Sequence, residues 1–351
     1  MSQQGRKILF ISLTRTGSTA YAASMADAIT STFDAIIVTS ENAKNAFSHV
    51  DKTIKTYTGK FSFIIKSIPF FIKAASLLKD YDDKDKVILY LPVFHPWNIL
   101  LAIWAGVYGI PVVTTIHDYH THEGEKSATT EFIQKLQMMI SDKVDFLTQH
   151  QEQEALKEYP NKDQQFTVLP HPILNSSVQH NLGHSKEMKF LFLGRIKTYK
   201  GYKLVIASAE NDKIKHITIA GDGDEINATN PKINSINRHL TDQEVIELLS
   251  THHVLLLPYT ETSQSGILTL GIDSGIPMIL SQLPGLKEQL DNDCGIWIKP
   301  TVEELSTAMN KIQSDKKLYD NIKEKIKSYK STYQNDFHEK LDQLLDNLQR
   351  L

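Results

Sequence analysis

Cysteine is almost absent from this chain of 351 residues, which has Cys294 alone. A single cysteine excludes an internal disulfide and is usual in proteins of a reducing compartment. The N-terminus lacks the long apolar core and the small-residue cleavage site of a signal peptide. No apolar run reaches the ~18 residues of a spanning helix, so no such helix is predicted. We therefore expect a cytoplasmic protein.

An excess of charge of one sign is also missing. Lys and Arg together number 38 and Asp and Glu together 41, which gives a formal net charge of −3. This balance argues against a nucleic-acid partner. Hydrophobic residues make up 41% of the chain and charged residues 23%, as is typical of a soluble globular protein. The length predicts about two domains.

Two series of strand, loop and helix units run along the chain. The first series opens with a buried strand, includes a second buried strand at Val87–Leu91, and predicts an N-terminal α/β domain over residues 1–175. A polar linker, 175–186, precedes a second α/β domain predicted over residues 186–325. In this domain Thr241 is predicted to cap a helix, with Gln243 and Glu244 placed to support its first turn, and a further helix is predicted over 316–329. The acidic, leucine-rich helix within residues 333–351 is expected to pack back on the first domain. Two doubly wound domains would place their strand ends at one interdomain cleft.

The loop after the first strand, 14–18, contains glycine but no G-x-G-x-x-G spacing. A dinucleotide fingerprint is therefore absent. The loop still leads into a helix, whose N-terminus is suited to meet an anion or a sugar.

Residues 52–79 alternate bulky apolar side chains with lysines. Pro69 interrupts this run and predicts two short helices rather than one. A basic, aromatic-rich amphipathic segment can lie on an anionic membrane surface. The alternative is that the apolar face packs on the sheet while the lysines stay in water. Peripheral membrane contact through this segment is thus one of two open interpretations.

The run from Lys189 to Gly201 combines a buried strand with two cations. Apolar and aromatic residues ending at Gly194 predict a strand of a parallel sheet, and Arg195 and Lys200 follow in a short loop. Ligands bind beyond the carboxyl ends of strands in open α/β sheets, so an anionic ligand is expected beside these cations. The alternative is a surface loop with two solvated charges.

Four stretches of the second half form a recognisable series. They are Phe192-Leu193-Gly194-Arg195 with Lys200-Gly201, Ile219-Ala220-Gly221-Asp222-Gly223, Leu256-Leu257-Pro258-Tyr259 with Ser263-Gln264-Ser265-Gly266, and Gly275-Ile276-Pro277-Met278-Ile279 with Pro284-Gly285-Leu286-Lys287-Glu288. In this order they resemble the retaining nucleotide-sugar glycosyltransferases of family 4, which have the GT-B architecture. The resemblance covers residues 170–300 strongly and the first domain weakly. It implies an α/β GT-B fold of two Rossmann-like domains.

By this resemblance, Arg195 and Lys200 would bind the diphosphate of the donor and act in catalysis. A leaving nucleoside diphosphate gains charge as the glycosidic bond breaks, and two cations can stabilise it without a metal ion. Backbone amides at the helix start after Ser265 would complete the anion site, although Ser265 also suits a plain N-cap. Glu288 would close the far side of the pocket. The other donor-side residues implied are Gly17, Gly194, Gly221, His239, Leu240, Ser263, Gln264, Ser265, Gly266 and Ile267.

The chain departs from the family at its two glutamates, one of which lies near the sugar and the other on the ribose hydroxyls. The first region here reads Glu261, Thr262, Ser263, Gln264, and Leu270 stands where the second glutamate is expected. The chain looks like the subgroup with Ser-Gln-Ser-Gly in place of Glu-Gly-Phe-Gly. Glu261 is a candidate for sugar contact. Asp273 shares a helix face with Leu270 and would reach the ribose, unless it is a surface acid.

In the first domain, His117 resembles the family histidine that touches the donor sugar. The alternative is a histidine at the edge of the core that bonds the backbone. Asp118 would orient it or accept the proton of the acceptor hydroxyl, and both are assigned as catalytic. A metal site of His117, His120 and His122 is the other alternative, but the spacing suits no common zinc pattern, so no metal is expected. The acceptor-side candidates are Arg15, Thr16, Ser18, His95, Trp97, His120 and His171.

The resemblance implies a glycosyltransferase at the inner face of the membrane that uses a UDP- or GDP-linked donor. Its acceptor would be a glycan or a lipid-linked saccharide, as in bacterial surface polysaccharide synthesis. The family chemistry implies retention by front-face attack, with the leaving phosphate taking the proton, and no cofactor besides the donor substrate. Two alternatives stay open. One is another GT-B enzyme, such as an epimerase or a phosphorylase, and the other is a non-catalytic scaffold that has lost the second glutamate.

Overall fold

The computed structural model describes residues 7–14, 18–79, 87–120, 128–226 and 229–349. The chain divides into two compact units. The first unit is Met1–Pro172 together with Phe337–Leu351, and the second is Ile173–Asp336. Each unit contains one sheet of parallel strands with helices between them, which confirms the predicted α/β class.

The first unit is built on a seven-stranded sheet with the order β3-β2-β1-β4-β5-β6-β7. Its strands are β1 (Lys7–Ser12), β2 (Ala35–Ser40), β3 (Lys52–Ile54), β4 (Val87–Leu91), β5 (Val112–Ile116), β6 (Lys143–Phe146) and β7 (Phe166–Val168). Because β1 pairs with β2 on one side and with β4 on the other, the sheet grows in opposite directions from that point. This is the doubly wound topology that the sequence predicts.

The helices of the first unit follow its strands in turn. They are α1 (Thr19–Thr32), α2 (Lys60–Lys79), α3 (Asn98–Tyr108), α4 (Ala128–Ile140) and α5 (Gln149–Glu158). Side chains of α2 and α3 pack in one hydrophobic cluster with the sheet, and those of α1 pack in another. The central strands are buried along their whole length, as in Val87–Leu91, because helices cover both faces.

The second unit contains a six-stranded sheet with the order β10-β9-β8-β11-β12-β13. Its strands are β8 (Lys189–Leu193), β9 (His216–Gly221), β10 (Ile233–Asn237), β11 (Val254–Leu257), β12 (Met278–Ser281) and β13 (Ile296–Ile298). The helices that begin in this unit are α6 (Tyr202–Ser208), α7 (Asp242–Thr251), α8 (Gly266–Ser274), α9 (Pro284–Lys287), α10 (Val302–Ser314) and α11 (Lys316–Gln349). Thr241 forms the predicted capping box with Glu244 at the start of α7.

The prediction of two short helices in residues 52–79 is wrong. Lys52–Ile54 is an edge strand, and α2 is one helix that continues through Pro69. A proline removes the donor to the carbonyl four residues earlier, here that of Ile65. Both residues are exposed, so water can satisfy this carbonyl. The helix beyond Pro69 is held by buried side chains such as Phe70.

The prediction of separate helices over 316–329 and 333–348 is also wrong, since α11 is continuous over 34 residues. Neither glycine nor proline occurs between Lys316 and Gln349. The helix buries Tyr333 in the core of the second unit and Phe337 in that of the first. Tertiary packing on both sides of the predicted break thus keeps the helix intact.

The segment 175–186 has no helix or strand, as predicted, but it is not a free linker. Ser176, Val178 and His180 are buried. His180 donates a hydrogen bond from Nε2 to the carbonyl oxygen of His252, at 2.8 Å. The segment is therefore a packed part of the second unit.

Candidate functional site

The second sheet reverses its direction of growth between β8 and β11, which lie side by side. The chain leaves β8 towards β9 on one side and leaves β11 towards β12 on the other. In doubly wound sheets the loops that follow two such strands diverge and leave a crevice for a ligand. These loops are 194–201 after β8 and 258–265 after β11.

The two loops are joined through their backbones. Gly201 has φ +78, and a Cβ there would lie 2.0 Å from the carbonyl oxygen of Pro258. The amide of Thr260 donates to the carbonyl oxygen of Tyr199 at 2.8 Å. A glycine is thus required at 201 by both its conformation and its contact. The loop that carries the two cations is consequently fixed against the loop after β11.

The two cations are held by tyrosines. Nη2 of Arg195 donates to the hydroxyl of Tyr199 at 2.7 Å. Nζ of Lys200 lies 3.9 Å from the centre of the Tyr259 ring, which is the geometry of a cation–π contact. Tyr259 is buried, Lys200 is half-buried and Arg195 is exposed. An aromatic face can orient a cation without neutralising its charge.

The N-terminus of α8 opens beside this loop. A Cβ at Gly194 would come within 3.2 Å of the Ile267 side chain, which places the end of β8 against the first turn of α8. The first-turn amides of Gly266 and Ile267 have no acceptor within their own helix. The helix dipole adds positive potential at the same end. The structure therefore combines a helix N-terminus with two cations, as an anion site requires.

Ser265 is the N-cap of α8 and is itself firmly held. Its Oγ accepts from the amide of Leu268 at 3.3 Å and lies 3.2 Å from the hydroxyl of Tyr259. Its amide donates to Oε1 of Gln289 at 2.7 Å. The plain N-cap role is thus present, and it leaves the amides of the next two residues directed out of the helix.

The Gly-Asp-Gly turn lies against the same loop. Gly221 has φ +145, and a Cβ there would lie 1.9 Å from the carbonyl oxygen of Gly194. The amide of Arg238 donates to the carbonyl oxygen of Gly221 at 2.9 Å. His239 and Leu240 follow directly, the first exposed and the second half-buried. The predicted donor-side residues His239 and Leu240 therefore lie on the β9 side of the loop that carries the two cations.

Glu261, Ser263 and Gln264 belong to the loop after β11. Glu261 is exposed, while Ser263 and Gln264 are half-buried. A Cβ at Gly285 would lie 2.0 Å from the carbonyl oxygen of Ser263, so this loop is also fixed against the start of α9. Glu288, at the end of α9, is exposed.

Asp273 lies near the end of α8, and its carboxylate is already engaged. Oδ2 accepts from both the amide and the hydroxyl of Ser176, at 2.6 Å each. Oδ1 pairs with Nζ of Lys330 at 2.9 Å. These contacts tie the 175–186 segment and α11 to α8. A ribose contact by Asp273 stays a prediction, and it would have to displace one of these partners.

In the first unit, His117 follows β5 and is half-buried. Its Nε2 donates to the carbonyl oxygen of Pro92 at 2.9 Å, which leaves the lone pair of a neutral ring on Nδ1. Burial lowers the pKa of His117, while the bond to Pro92 and the charge of Asp118 oppose that shift. The ring packs edge-on against Tyr21 at 4.3 Å. His117 thus has the backbone bond of the alternative interpretation and still carries an acceptor atom.

The structure also brings His171 to Tyr21, with its ring centre 5.0 Å from that of Tyr21. His171 is buried, and burial lowers its pKa to about 3. Its Nδ1 donates to the carbonyl oxygen of Pro172 at 2.7 Å. His171 is therefore a neutral core histidine at physiological pH.

His95 and Trp97 are also buried. Trp97 is 1% exposed, stacks on Phe70 at 4.2 Å and donates from Nε1 to the hydroxyl of Ser67 at 2.8 Å. The ring of His95 lies 5.3 Å from that of Tyr57. Acceptor contact through these two side chains stays a prediction, and in this arrangement they form part of the core around α2.

Of the remaining first-unit candidates, some are half-buried or exposed and the others lie outside the described residues. Asp118 is half-buried, Ser18 is half-buried and His120 is exposed. Arg15, Thr16 and Gly17 lie outside the described residues, as does His122. Across the described ranges, no group of three or more His, Cys, Asp or Glu side chains could hold a metal ion.

Sequence reasoning missed Tyr199, Tyr259 and Gln289. Tyr199 lies four residues beyond Arg195 and Tyr259 directly follows the strand-ending Pro258, which are spacings that a search for partners of the cations could have used. Gln289 offers no local signal, since it reaches Ser265 from another loop.

The comparisons with known proteins agree with this geometry. The fold is the GT-B fold of glycosyltransferases, as in HepE of Anabaena solved with UDP and glucose, which shows 13% identity, a TM-score of 0.76 and coverage of 97% of this chain and 99% of that one. Sucrose-phosphate synthase of Thermosynechococcus elongatus shows 14% identity and a TM-score of 0.72, with coverage of 98% and 99%.

Residues 177–329, nearly the whole second unit, match the family model of glycosyl transferases group 1. The O-antigen chain mannosyltransferase C of Escherichia coli is 26% identical over 171 residues, which are 45% of this chain and 44% of that protein. The chain thus aligns with less than half the length of this curated relative. Together these matches show that the second unit is similar in sequence to group 1 glycosyl transferases.

Proposed function

We propose that this protein is a retaining glycosyltransferase that moves a sugar from a nucleoside diphosphate to a glycan or a lipid-linked saccharide, as in bacterial surface polysaccharide synthesis. One observation carries the proposal. Arg195 and Lys200 lie in the loop at the switch point of the second sheet, and Gly194 at the start of this loop lies against Ile267 in the first turn of α8. Two cations and a helix N-terminus form a site for a diphosphate rather than for a single carboxylate.

The chemistry follows from charge. As the bond between sugar and phosphate breaks, negative charge grows on the leaving diphosphate. Cations and amides that are already in place stabilise this charge without reorganisation. Arg195 offers paired N–H donors, and Lys200, half-buried on the Tyr259 ring, offers a point charge in a partly dry environment. In this proposal the two side chains provide the charge stabilisation that other enzymes obtain from a metal ion.

The anomeric configuration is retained if the acceptor hydroxyl attacks the sugar from the same face from which the diphosphate departs. The departing phosphate then takes the proton of the acceptor hydroxyl. His117 is assigned to the donor sugar, because its neutral ring carries a lone pair on Nδ1 and can accept from a sugar hydroxyl. Asp118 is assigned to orient the acceptor or to share its proton. Glu261 is the proposed sugar contact in the second unit.

We place the protein in the cytoplasm at the inner face of the membrane, with a UDP- or GDP-linked sugar as donor and no further cofactor. Membrane contact through residues 52–79 belongs to the same proposal. The O-antigen relative supports a saccharide acceptor of a surface polysaccharide.

A thermal-shift panel of nucleoside diphosphates and nucleotide sugars tests the donor site. The matching nucleotide is expected to stabilise the protein by about 2.7 kcal/mol at a concentration of one hundred times its dissociation constant. Lys200→Ala is expected to lose most of this shift. If no nucleotide shifts the unfolding midpoint, the protein is a scaffold rather than an enzyme.

Product analysis then tests the reaction class. Incubation with the donor that binds, with and without saccharide acceptors, is expected to give transfer only when acceptor is present. Epimerised or phosphorolysed donor without acceptor would instead identify another GT-B enzyme.

A further inference from the structure

The large hydrophobic side chains that are exposed in the described residues all lie in the first unit, on three helices. They are Phe61, Ile64, Ile65, Ile68 and Ile72 on α2, Ile103 and Val107 on α3, and Phe132 and Met139 on α4. Phe61 is 79% exposed and Ile68 71%. Isolated exposed hydrophobic residues are ordinary, but a concentration of them on adjacent elements marks an interaction surface. We call these nine side chains the apolar patch.

The five α2 members of the apolar patch form a stripe. They follow Phe61 at spacings of three, four, seven and eleven residues, which is the repeat of one helix face. The opposite face carries Phe70, Ala74 and Leu78, all buried in the core. α2 therefore has two apolar faces, and only one is used by the fold.

The stripe is extended by neighbouring helices. α2 packs on α3, and α3 packs on α4. The rings of Phe71 and Trp104 connect the first two helices at 5.0 Å, and Trp104 stacks on Tyr108 at 5.8 Å. Aromatic rings of this kind favour the boundary between lipid headgroups and acyl chains. The apolar patch is thus a surface made by a row of helices rather than the side of one.

The charge around the α2 part of the apolar patch is positive. Between Lys52 and Lys79 the chain has six lysines and no acidic residue, and α3 has no charged residue at all. Lys73 and Lys79 are exposed, and Nζ of Lys66 donates to the carbonyl oxygen of Thr56 at 3.1 Å. Lysines beside an exposed apolar stripe match an anionic lipid surface, which attracts cations and accepts apolar side chains below its headgroups.

The orientation of α2 follows from its packing. By length and composition Phe61–Lys79 is apolar enough to cross a membrane, with a mean hydropathy of 1.6, although no such helix was expected. However, α2 connects two strands of the same parallel sheet, and Trp97 donates to Ser67 in the middle of it. A crossing would pull Phe70, Ala74 and Leu78 out of the core. The helix can therefore lie on a bilayer but not span it while the sheet is intact.

We propose that the apolar patch docks on the surface of an anionic lipid bilayer, with α2 in the plane of the membrane. The proposal identifies an anionic bilayer as the partner of the peripheral contact. Its biological role rests on the proposed function. The docking itself needs neither donor nor turnover. A lipid surface also accounts for the combination of wide apolar area and surrounding lysines, which a second copy with the same positive charge would not match.

Vesicle flotation of the full chain tests the proposal. We expect the protein to bind phosphatidylcholine vesicles that contain phosphatidylglycerol. Binding to vesicles of phosphatidylcholine alone should be much weaker, and binding to the anionic vesicles should fall as the salt concentration rises. The double variant Ile68→Ser with Ile72→Ser is expected to lower the partition coefficient at least about tenfold. Its control, Ile68→Leu with Ile72→Leu, keeps the apolar area and is expected to bind as the wild type does.

The charge is tested separately with Lys73→Glu, which is expected to weaken binding at least about fivefold. Lys317→Glu changes the same charge on an exposed helix of the second unit and is expected to have little effect. Circular dichroism and the nucleotide thermal shift of each variant show whether the fold and the donor site are intact. They also separate failure of this proposal from failure of the proposed function.

Two outcomes would overturn the proposal. The first is equal vesicle binding by the wild type and the double serine variant. The second is a wild-type dimer in light scattering that the serine variant abolishes, together with no vesicle binding, which would make a second copy the occupant of the apolar patch.

Discussion

The two units share a doubly wound sheet but place their chemistry in different parts of it. In the second unit, loops after neighbouring strands approach so closely that Gly201, Gly221 and Gly285 each leave no room for a Cβ. In the first unit, the distinguishing features are a buried carboxyl inside the sheet and the apolar patch outside it. In the second unit, backbone contacts fix the loops of the proposed anion site, whereas the features of the first unit are a buried side chain and exposed side chains.

The buried carboxyl is Asp145 on β6, which accepts from the hydroxyls of Thr115 and Tyr90 on the next two strands. Among the described residues, no other Asp or Glu is buried to this degree. Burial raises its pKa to about 7, and the two hydrogen bonds oppose that shift. The stability of the first unit is therefore expected to depend on pH through this carboxyl.

At a fixed pH, the largest effect is expected from a substitution that breaks the backbone contacts of the second unit. Gly201→Ala would place a Cβ against the carbonyl oxygen of Pro258 and strain the backbone, and we expect a loss of about 3 kcal/mol or more in the free energy of unfolding. Gly275→Ala is the matched control, since Gly275 has φ +76 with open space around it. It is expected to cost about 1 kcal/mol. Equal losses in urea unfolding would show that strain alone, and not the contact, requires Gly201.

The next effect concerns the charge in this site. Lys200→Ala is expected to raise the activation barrier of sugar transfer by at least about 2 kcal/mol, or about thirtyfold in kcat/KM, because one cation opposite the leaving diphosphate is lost. Lys203→Ala removes an exposed lysine three residues further along the chain and is expected to leave the rate unchanged. A near-native rate for Lys200→Ala would remove the basis of the site assignment.

A third test concerns the first unit. The folded state of the wild type keeps Asp145 protonated up to about pH 7, whereas the unfolded state loses this proton near pH 3.8. The contribution of Asp145 to stability therefore decreases as the pH rises from 3.8 to about 7. Compared with Asp145→Asn, the wild type is expected to lose up to about 1.4 kcal/mol per pH unit across this window and to run parallel outside it. The buried His171, with its pKa lowered to about 3, has the opposite trend but is present in both proteins.

Chemical denaturation from pH 4 to pH 8 gives the difference between the two curves. Asp163→Asn, at an exposed position of the same unit, is the control and is expected to follow the wild type. A constant difference between wild type and Asp145→Asn over the window would contradict the role assigned to this carboxyl.

The smallest effect concerns the tyrosines beneath the cations. Tyr199→Phe removes the hydroxyl that accepts from Arg195 and keeps the carbonyl that bonds Thr260. We expect donor binding to weaken by about 1 kcal/mol, or about fivefold, with the fold unchanged. In an Arg195→Ala background the same change is expected to have no further effect. Additive losses in calorimetric titrations would mean that Tyr199 acts independently of Arg195.

Much of the fold could be predicted from local patterns. Buried parallel strands read as continuous apolar runs, which is why β4 and β8 were placed correctly. The caps at Thr241 and Ser265 were also evident, because an N-cap is a property of a few adjacent residues. Arg195 and Lys200 could be placed at a strand end for the same reason.

The misjudged elements have a common cause. Pro69 usually ends a helix, but Phe70 and its buried neighbours hold the following turns in the core. The interval between 329 and 333 likewise lies in a helix that is packed on both sides. In both places the energy of tertiary packing exceeded a local preference.

By itself, the amino-acid sequence determined most of the succession of strands and helices, the two cations after β8 and the N-cap of α8, because each depends on residues a few positions apart. Tertiary structure alone decided that Tyr259 lies under Lys200, that Trp97 is buried and that nine hydrophobic side chains stay exposed on adjacent helices. These features depend on residues distant in the chain, whose contacts and exposure arise only when the sheets are covered by their helices.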